Sequence, residues 1–146
     1  RYPDWQMAVV GDGPEKSSLV RKSRDLERIS FVGFQEPGEW YRRSAIFCMT
    51  SNFEGWGMVL VEAMSQGVVP LAFDSYASVH DIIDDGRNGF LVTPFSINEY
   101  AEKLAKLMDD DAQRERIARN CLHGVQRYSK ENVVNQWEQL FKELKS

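Results

Sequence analysis

Cysteine and histidine are scarce in this chain of 146 residues, which has two of each. Neither Cys48 nor Cys121 has a second Cys or His at metal-ligand spacing, so the sequence predicts no metal centre and no disulfide framework. Free thiols are typical of proteins in a reducing compartment, and we therefore expect a cytoplasmic protein.

Positive charge and long apolar runs are also lacking. The 18 Lys and Arg are outnumbered by 22 Asp and Glu, which argues against a nucleic-acid partner. No apolar run approaches the roughly 20 residues that a membrane span requires, and the first residues have no signal-peptide pattern. Because the chain has no initiator Met and leads almost at once into an apolar run, we expect a piece of a longer protein.

Several common nucleotide and hydrolase motifs are missing as well. Gly11 and Gly13 form a glycine turn, but Lys16 stands where the dinucleotide fingerprint requires a third glycine, so an NAD site is not expected. No Gly-Lys-Ser or Gly-Lys-Thr occurs, which excludes a P-loop. His80 and His123 lie in no hydrolase motif with a Ser or Cys, and a ligand contact by His80 stays open.

Short apolar runs alternate with segments of helical periodicity along the chain. This alternation predicts a single α/β domain over residues 1–146, with a Rossmann-like, doubly wound parallel sheet in three α/β/α layers and helices at the C-terminus. Asp111 and Ser129 fit as N-caps of two C-terminal helices. The predicted strands span residues 7–10, 29–32, 46–49, 68–73 and 90–92, and the predicted helices 14–25, 58–66, 79–83, 98–108, 112–127 and 130–144.

The most informative segment is the loop after the third predicted strand. Glu54 and Glu62 lie eight positions apart, and Gly55 and Gly57 lie between them before a predicted helix. The first N–H groups of a helix have no intrahelical partner and, with the helix dipole, favour a phosphate. The flanking carboxylates suit the hydroxyls of a sugar or ribose, and parallel sheets bind ligands at this edge. The segment therefore predicts a site for a sugar nucleotide.

The same residues resemble the signature of the family 4 retaining glycosyltransferases, which have the GT-B fold. The shared residues are Glu54, Gly55, Trp56, Gly57, Glu62, Ala63, Met64, Gly67 and Pro70. Three further stretches, residues 9–14, 29–33 and 84–92, are similar to the family's patterns in the same order. The resemblance covers residues 5–146 and implies the C-terminal, donor-binding domain of such an enzyme, without its N-terminal acceptor domain.

The resemblance also implies roles for individual residues. Glu54 would contact the hydroxyls of the donor sugar as the catalytic carboxylate, and Glu62 would bind the ribose hydroxyls. The other implied donor-binding positions are Gly55 and Trp56 beside the sugar, the amides of Gly57, Met58 and Val59 at the diphosphate, the backbone of Val32, Gly33 and Phe34 around the base, and the turn at Gly11 and Gly13.

The activity implied by the resemblance is transfer of a glycosyl group from a nucleotide-diphosphate sugar to an acceptor, with retention and without a metal, in polysaccharide or glycoconjugate synthesis. A UDP-sugar is the expected donor, ahead of a GDP-sugar, and no cofactor is expected. The expected partners are this nucleotide sugar and the absent acceptor domain, while peripheral association of the full-length protein with the inner membrane face stays open. The isolated piece is expected to bind nucleotide weakly and to catalyse nothing.

The sequence departs from the family pattern after the fourth predicted strand. Tyr76, Ala77 and Ser78 replace a Gly-Gly pair, and Asp81 stands where Glu is common, which leaves the sugar open. The basic pair that clamps the diphosphate in relatives would lie upstream of this chain. A non-catalytic nucleotide-binding or interaction module of the same fold stays open as an alternative, whereas a nucleotide-sugar epimerase is disfavoured because it would need catalytic acids from the other domain. The run Asp109–Asp111 is interpreted as a solvated helix cap.

Overall fold

The computed structural model describes residues 2–145, and the chain divides into two compact units, Arg1–Arg43 and Ser44–Ser146. Hydrogen bonding groups the strands into a two-stranded sheet and a three-stranded sheet, where the sequence predicted one sheet. All the strand pairs are parallel, and helices alternate with the strands along the chain. The fold is therefore the Rossmann-like α/β class that the sequence predicted.

The first unit is a β-α-β-α segment. It comprises β1 Met7–Val10, α1 Lys16–Lys22, β2 Ile29–Gly33 and α2 Pro37–Arg42. Just beyond the paired strands, Gly11 donates its N–H to the Gly33 carbonyl at 2.8 Å. α1 is shorter than predicted and ends at Ser23, whose N–H and hydroxyl both bond to the Leu19 carbonyl at 3.0 and 2.9 Å. Such a local side-chain bond competes with continuation of a helix.

The second unit contains the remaining strands and helices. Its strands are β3 Ile46–Met49, β4 Val69–Phe73 and β5 Phe90–Val92, and β4 is the middle strand of the sheet. Its helices are α3 Met58–Ser65, α4 Val79–Ile82, α5 Ile97–Asp109, α6 Asp111–Gly124, a 3-10 helix at Val125–Tyr128, and α7 Lys130–Glu143.

The core of the second unit is built around β4. All five of its residues are buried, because β3 and β5 pair with its two edges and α3, α5 and α6 all contact it. The uninterrupted apolar run fits a strand covered on both faces. On α3, Leu60, Ala63 and Met64 form the buried face and are at most 1% exposed. Full burial of a Leu or Met side chain contributes about 1.5–3 kcal/mol each.

A buried asparagine holds the turn before β5. Asn88 is 7% exposed, its Oδ1 accepts the N–H of Asp84 at 2.7 Å, and its Nδ2 donates to the Ile82 carbonyl at 3.1 Å. The next residue has to be glycine, because a Cβ on Gly89 would lie 2.6 Å from Cγ of Pro70. The turn at residues 85–89 is thus also packed against β4.

The acidic run before α6 is a helix cap, as interpreted from the sequence. Asp110, and not Asp111, is the N-cap, and its side chain accepts the N–H of Gln113 at 2.8 Å. Asp110 has the extended backbone that an N-cap requires, with φ −118° and ψ 90°, whereas Asp111 already belongs to the helix. Ser129 caps α7 as predicted, by accepting the N–H of Asn132 at 3.3 Å.

The last helix carries an apolar stripe that lies exposed. The stripe consists of Val133, Val134, Trp137, Leu140 and Phe141, each at least 40% exposed. Two of its rings contact each other, with 5.7 Å between their centroids. In the part of the chain that the structure describes, no helix combines the length and the apolar character needed to cross a membrane.

Candidate functional site

The residue that caps the N-terminus of α3 is a glycine with a left-handed backbone conformation. Gly57 is the N-cap, with φ 90° and ψ 43°, and it is buried. A Cβ on this residue would lie 2.8 Å from the hydroxyl oxygen of Tyr76. The next two residues, Met58 and Val59, are exposed, and their N–H groups in the first helical turn have no intrahelical partner. The helix therefore presents N–H donors at an open end, as the sequence predicted.

Glu54 lies half-buried in the loop that leads to this helix. The loop spans Ser51–Gly57 and is called the Glu54 loop below. Burial, and then the nearby Glu54 carboxylate, raise the pKa of Tyr76 to about 12. The Glu54 carboxylate therefore disfavours ionisation of the phenol, whose hydroxyl abuts Gly57 at the N-terminus of α3.

The Glu54 loop is tied down by residues that follow β4. The hydroxyl of Ser75 donates to the Ser51 carbonyl at 2.7 Å, and the hydroxyl of Ser78 donates to the Gly55 carbonyl at 3.2 Å. In the sequence, residues 76–78 are visible only as a departure from a family pattern, and no role was expected for the two serines. Small hydroxyl residues after a strand were the available signal, but the sequence does not show which distant carbonyl they reach.

Glu62 lies on the exposed face of α3. It is four residues after Met58, which is 57% exposed, and residues with this spacing share a helical face. The opposite face carries the buried Leu60 and Met64. The structure therefore places Glu62 on the solvent side of the helix that begins at Gly57, within the same unit as Glu54.

Trp56 anchors the other side of the Glu54 loop. Its ring meets the ring of Tyr128 edge-on, with 4.8 Å between centroids. Tyr128 in turn donates its hydroxyl to the Asp81 carbonyl at 2.5 Å. The residues implied at the sugar and diphosphate, from Glu54 to Val59, are thus held on an ordered framework, with Gly55 exposed between them.

The first unit brings its own predicted residues together at the ends of β1 and β2. The bond from the Gly11 N–H to the Gly33 carbonyl joins the two glycine turns, and Gly13 donates its N–H to Oδ1 of Asp12 at 2.9 Å. Val32 is half-buried in β2, and Phe34 beyond it is 88% exposed. These residues therefore form one cluster within residues 2–43.

Lys16 also belongs to this cluster, although it was not among the site residues expected from the sequence. Its Nζ lies 3.4 Å from the position of a Cβ on Gly33 and 2.9 Å from Oδ2 of Asp12. The hydrogen bond from Lys16 is the main cause of the lowered pKa of Asp12. The sequence showed only that Lys16 replaces a glycine of another motif, because its approach to Gly33 depends on the pairing of β1 with β2.

A polar cavity of about 840 Å³ opens beside the ends of β4 and β5. Two of its lining pairs are His80 with Asp74, at 2.7 Å, and Lys103 with Glu99, at 3.0 Å. Hydrogen bonds, the largest at Thr93, lower the pKa of Glu99. The structure thus places the His80 imidazole against the Asp74 carboxylate. A contact of His80 with a ligand stays a prediction.

Comparison with known proteins identifies the family. The profile described as Glycosyl transferases group 1 matches residues 1–122. The chain belongs to this family. It is 32% identical over 150 residues to an exopolysaccharide phosphotransferase of Streptomyces coelicolor, across 99% of this chain and 16% of that protein. This chain spans 16–40% of the length of several curated relatives that it matches.

Two solved structures have the same fold as this chain. The C-terminal domain of LpcC from Francisella tularensis superposes with a TM-score of 0.81 at 33% identity, over 89% of this chain and 73% of that one. A structure of S. aureus TarM in complex with UDP and other ligands superposes with a TM-score of 0.84 at 28% identity, over 93% of this chain and 29% of that one. The predicted resemblance to the C-terminal domain of a GT-B glycosyltransferase is confirmed.

Proposed function

We propose that this chain is the donor-binding part of a glycosyltransferase and binds a nucleotide-diphosphate sugar. One observation carries the proposal: an open helix N-terminus at Gly57 has Glu54 before it and Glu62 on its exposed face, all in one compact unit. Helix N-termini favour phosphate, and carboxylates accept hydrogen bonds from sugar hydroxyls.

The diphosphate is assigned to the amides of Gly57, Met58 and Val59. Met58 and Val59 are exposed at the start of the helix, and the dipole of α3 adds positive potential at this end. Retaining transfer without a metal is part of the proposal, because the signature residues resemble those of the retaining family. The N-terminus of α3 supplies part of the positive potential at the diphosphate. UDP is the proposed nucleotide, because the similar TarM structure contains UDP.

The carboxylates of Glu54 and Glu62 are assigned to different parts of the donor. Glu62 binds the ribose hydroxyls, and Glu54, with the backbone of Gly55 and Trp56, contacts the hydroxyls of the transferred sugar. Glu54 is the residue proposed to be catalytic. In the first unit, the backbone of residues 32–34 and the turn at residues 11–13 are assigned to the base and its surroundings.

The activity of the whole protein is also a proposal, because the chain spans 16–40% of several curated relatives. We infer that an acceptor-binding domain lies elsewhere in the same protein and that the isolated chain is inactive. The exposed apolar stripe of α7 supports a further packing partner of this kind. The name of the Streptomyces coelicolor relative supports a role in polysaccharide or glycoconjugate synthesis. A cytoplasmic location and peripheral membrane association of the full-length protein are further parts of the proposal.

Titration of the chain with UDP and GDP, followed by amide NMR shifts, tests nucleotide binding. We expect shifts at Gly57, Met58 and Val59 with a millimolar-range Kd, and tighter binding of UDP than of GDP. The control titration uses inorganic pyrophosphate, which should move the same amides without involving Glu62. No shift at these amides with millimolar UDP would contradict the proposal.

Glu54→Gln in the full-length protein separates an enzyme from a binding module. The transferase should lose most of its turnover while its thermal unfolding stays unchanged, because the substitution removes a charge and keeps the shape. Unchanged turnover would favour a non-catalytic nucleotide-binding or interaction module of the same fold.

A further inference from the structure

The segment that follows β4 contacts the Glu54 loop at three positions, on Ser51, Gly55 and Gly57. Residues 74–78 form this segment, called the post-β4 segment below. Ser75 bonds to the carbonyl at the start of the loop, on Ser51, and Ser78 bonds to the carbonyl of Gly55. Tyr76 lies at the end of the loop, where its hydroxyl abuts Gly57. Each contact comes from a side chain, so each depends on residue type.

The side chain of Ser78 forms a hydrogen bond with the Glu54 loop and none with the helix that it precedes. It is the N-cap of α4, yet its side chain makes no capping bond there. N-cap serines ordinarily accept an N–H bond from the first helical turn. The hydroxyl instead donates to the Gly55 carbonyl at 3.2 Å. A local stabilising bond is therefore replaced by one that fixes the residue next to Glu54.

Tyr76 packs between the end of β3 and the last residue of the Glu54 loop. Its side chain is 9% exposed, and its hydroxyl donates to Sδ of Met49 at 3.6 Å. Met49 is the last residue of β3, so the phenol is wedged between the end of that strand and the N-cap of α3. The position of Gly57, and with it the first amides of α3, depends on where this ring lies.

The post-β4 segment is itself fixed to the rest of the unit. Asp74 donates its N–H to the Val92 carbonyl of β5 at 2.8 Å, and its Oδ1 lies 2.7 Å from Nε2 of His80. Tyr128 donates to the carbonyl of Asp81 just beyond the segment. The loop is thus held against a support that is bonded at both ends, which is what preorganisation of a binding group requires.

We propose that Ser75, Tyr76 and Ser78 are positioning residues that hold Glu54 and the first amides of α3 in the geometry that binds the donor nucleotide. The inference rests on the proposed function and adds residues that the family pattern does not supply, since this pattern has glycines in that region. Ordering the loop before binding removes an entropic cost from each binding event. Loss of the side-chain bonds should therefore weaken ligand binding even where the fold persists.

The test compares Ser75→Ala/Ser78→Ala and Tyr76→Phe with the unaltered chain. Ser65→Ala is the matched control, because its hydroxyl also donates to a backbone carbonyl, that of Glu62, at 2.7 Å. Backbone nitrogen relaxation without ligand reports loop order, and UDP titration reports Kd. We expect order parameters of residues 52–56 to fall from about 0.85 to below about 0.6 in the double variant. We expect its Kd for UDP to rise about three- to tenfold, because Gly57 at the end of the loop, and with it the amides assigned to the diphosphate, lose their fixed position.

Two further variants keep the result interpretable. Ser78→Ala alone removes only an exposed bond, so it should fold even if the double variant does not, and Ser78→Thr keeps the hydroxyl and should restore Kd. A double variant with an ordered loop, or with a loosened loop and an unchanged Kd, overturns the positioning role. Absence of UDP binding by the unaltered chain contradicts the proposed function itself and is distinguishable from both outcomes.

Discussion

The hydroxyl oxygen of Tyr76 lies 2.8 Å from the point that a Cβ on Gly57 would occupy, and Gly57 has φ 90°. Gly57→Ala therefore meets both a steric contact and a left-handed backbone. The backbone costs about 1–2 kcal/mol and the overpacking about 1–3 kcal/mol, so we expect a loss of about 2–5 kcal/mol in the free energy of unfolding. Urea unfolding of Gly57→Ala and of the unaltered chain measures this difference in the free energy of unfolding.

Gly55→Ala is the matched control for this substitution. A Cβ on Gly55 would meet no atom within 4 Å, so its effect should stay within about 0.5 kcal/mol. In a Tyr76→Phe background the Gly57→Ala cost should shrink, because the contacting oxygen is gone. Equal costs in both backgrounds would show that the hydroxyl is not the obstacle.

The raised pKa of Tyr76, about 12, predicts a change of stability in alkaline solution. Between the unfolded pKa of about 10 and the folded value, the unfolded chain releases the phenol proton while the folded chain keeps it, so stability falls as pH rises. Tyr76→Phe should flatten this fall. Urea unfolding at several pH values from about 9 upward compares the slopes, and parallel curves for the two chains would contradict the prediction.

The two carboxylates should respond differently to UDP. Glu62→Gln should weaken binding about tenfold or more, because hydrogen bonds to a charged group contribute about 1.5–3 kcal/mol. Glu54→Gln should leave Kd for UDP nearly unchanged, since UDP lacks the sugar that Glu54 contacts. Glu102→Gln, at an exposed position on α5, is the control. Equal losses for Glu54→Gln and Glu62→Gln in isothermal titration would refute the separate assignments.

Asn88→Ala should destabilise the second unit. The substitution removes the bonds to the Asp84 N–H and the Ile82 carbonyl at a site that is 7% exposed. A buried group left unsatisfied costs about 1–3 kcal/mol, so a total loss of about 2–4 kcal/mol is expected in thermal unfolding. Asn98→Ala, on the exposed start of α5, should change stability little. A loss no greater than that of Asn98→Ala would mean that water replaces both bonds.

Much of the local structure could be predicted, because its signals lie within a few residues of one another. The strand at residues 46–49 has the bounds expected from the sequence, and the helix expected over residues 58–66 spans Met58–Ser65. The end of α1 at Ser23 could not be predicted, since helical residues continue past it and the serine hydroxyl decides in favour of the Leu19 carbonyl. The cap at Asp110 was misplaced by one position, because neighbouring aspartates give the same signal.

The sequence by itself determined the spacing of Glu54, Gly57 and Glu62, because helical periodicity and the conformational freedom of glycine are local properties. Only the tertiary structure decided what holds the Glu54 loop. Ser75 and Ser78 are 24 and 23 positions away from the carbonyls that they bond. They reach those carbonyls because β3 and β4 pair in parallel, which brings the ends of both strands to one edge of the sheet.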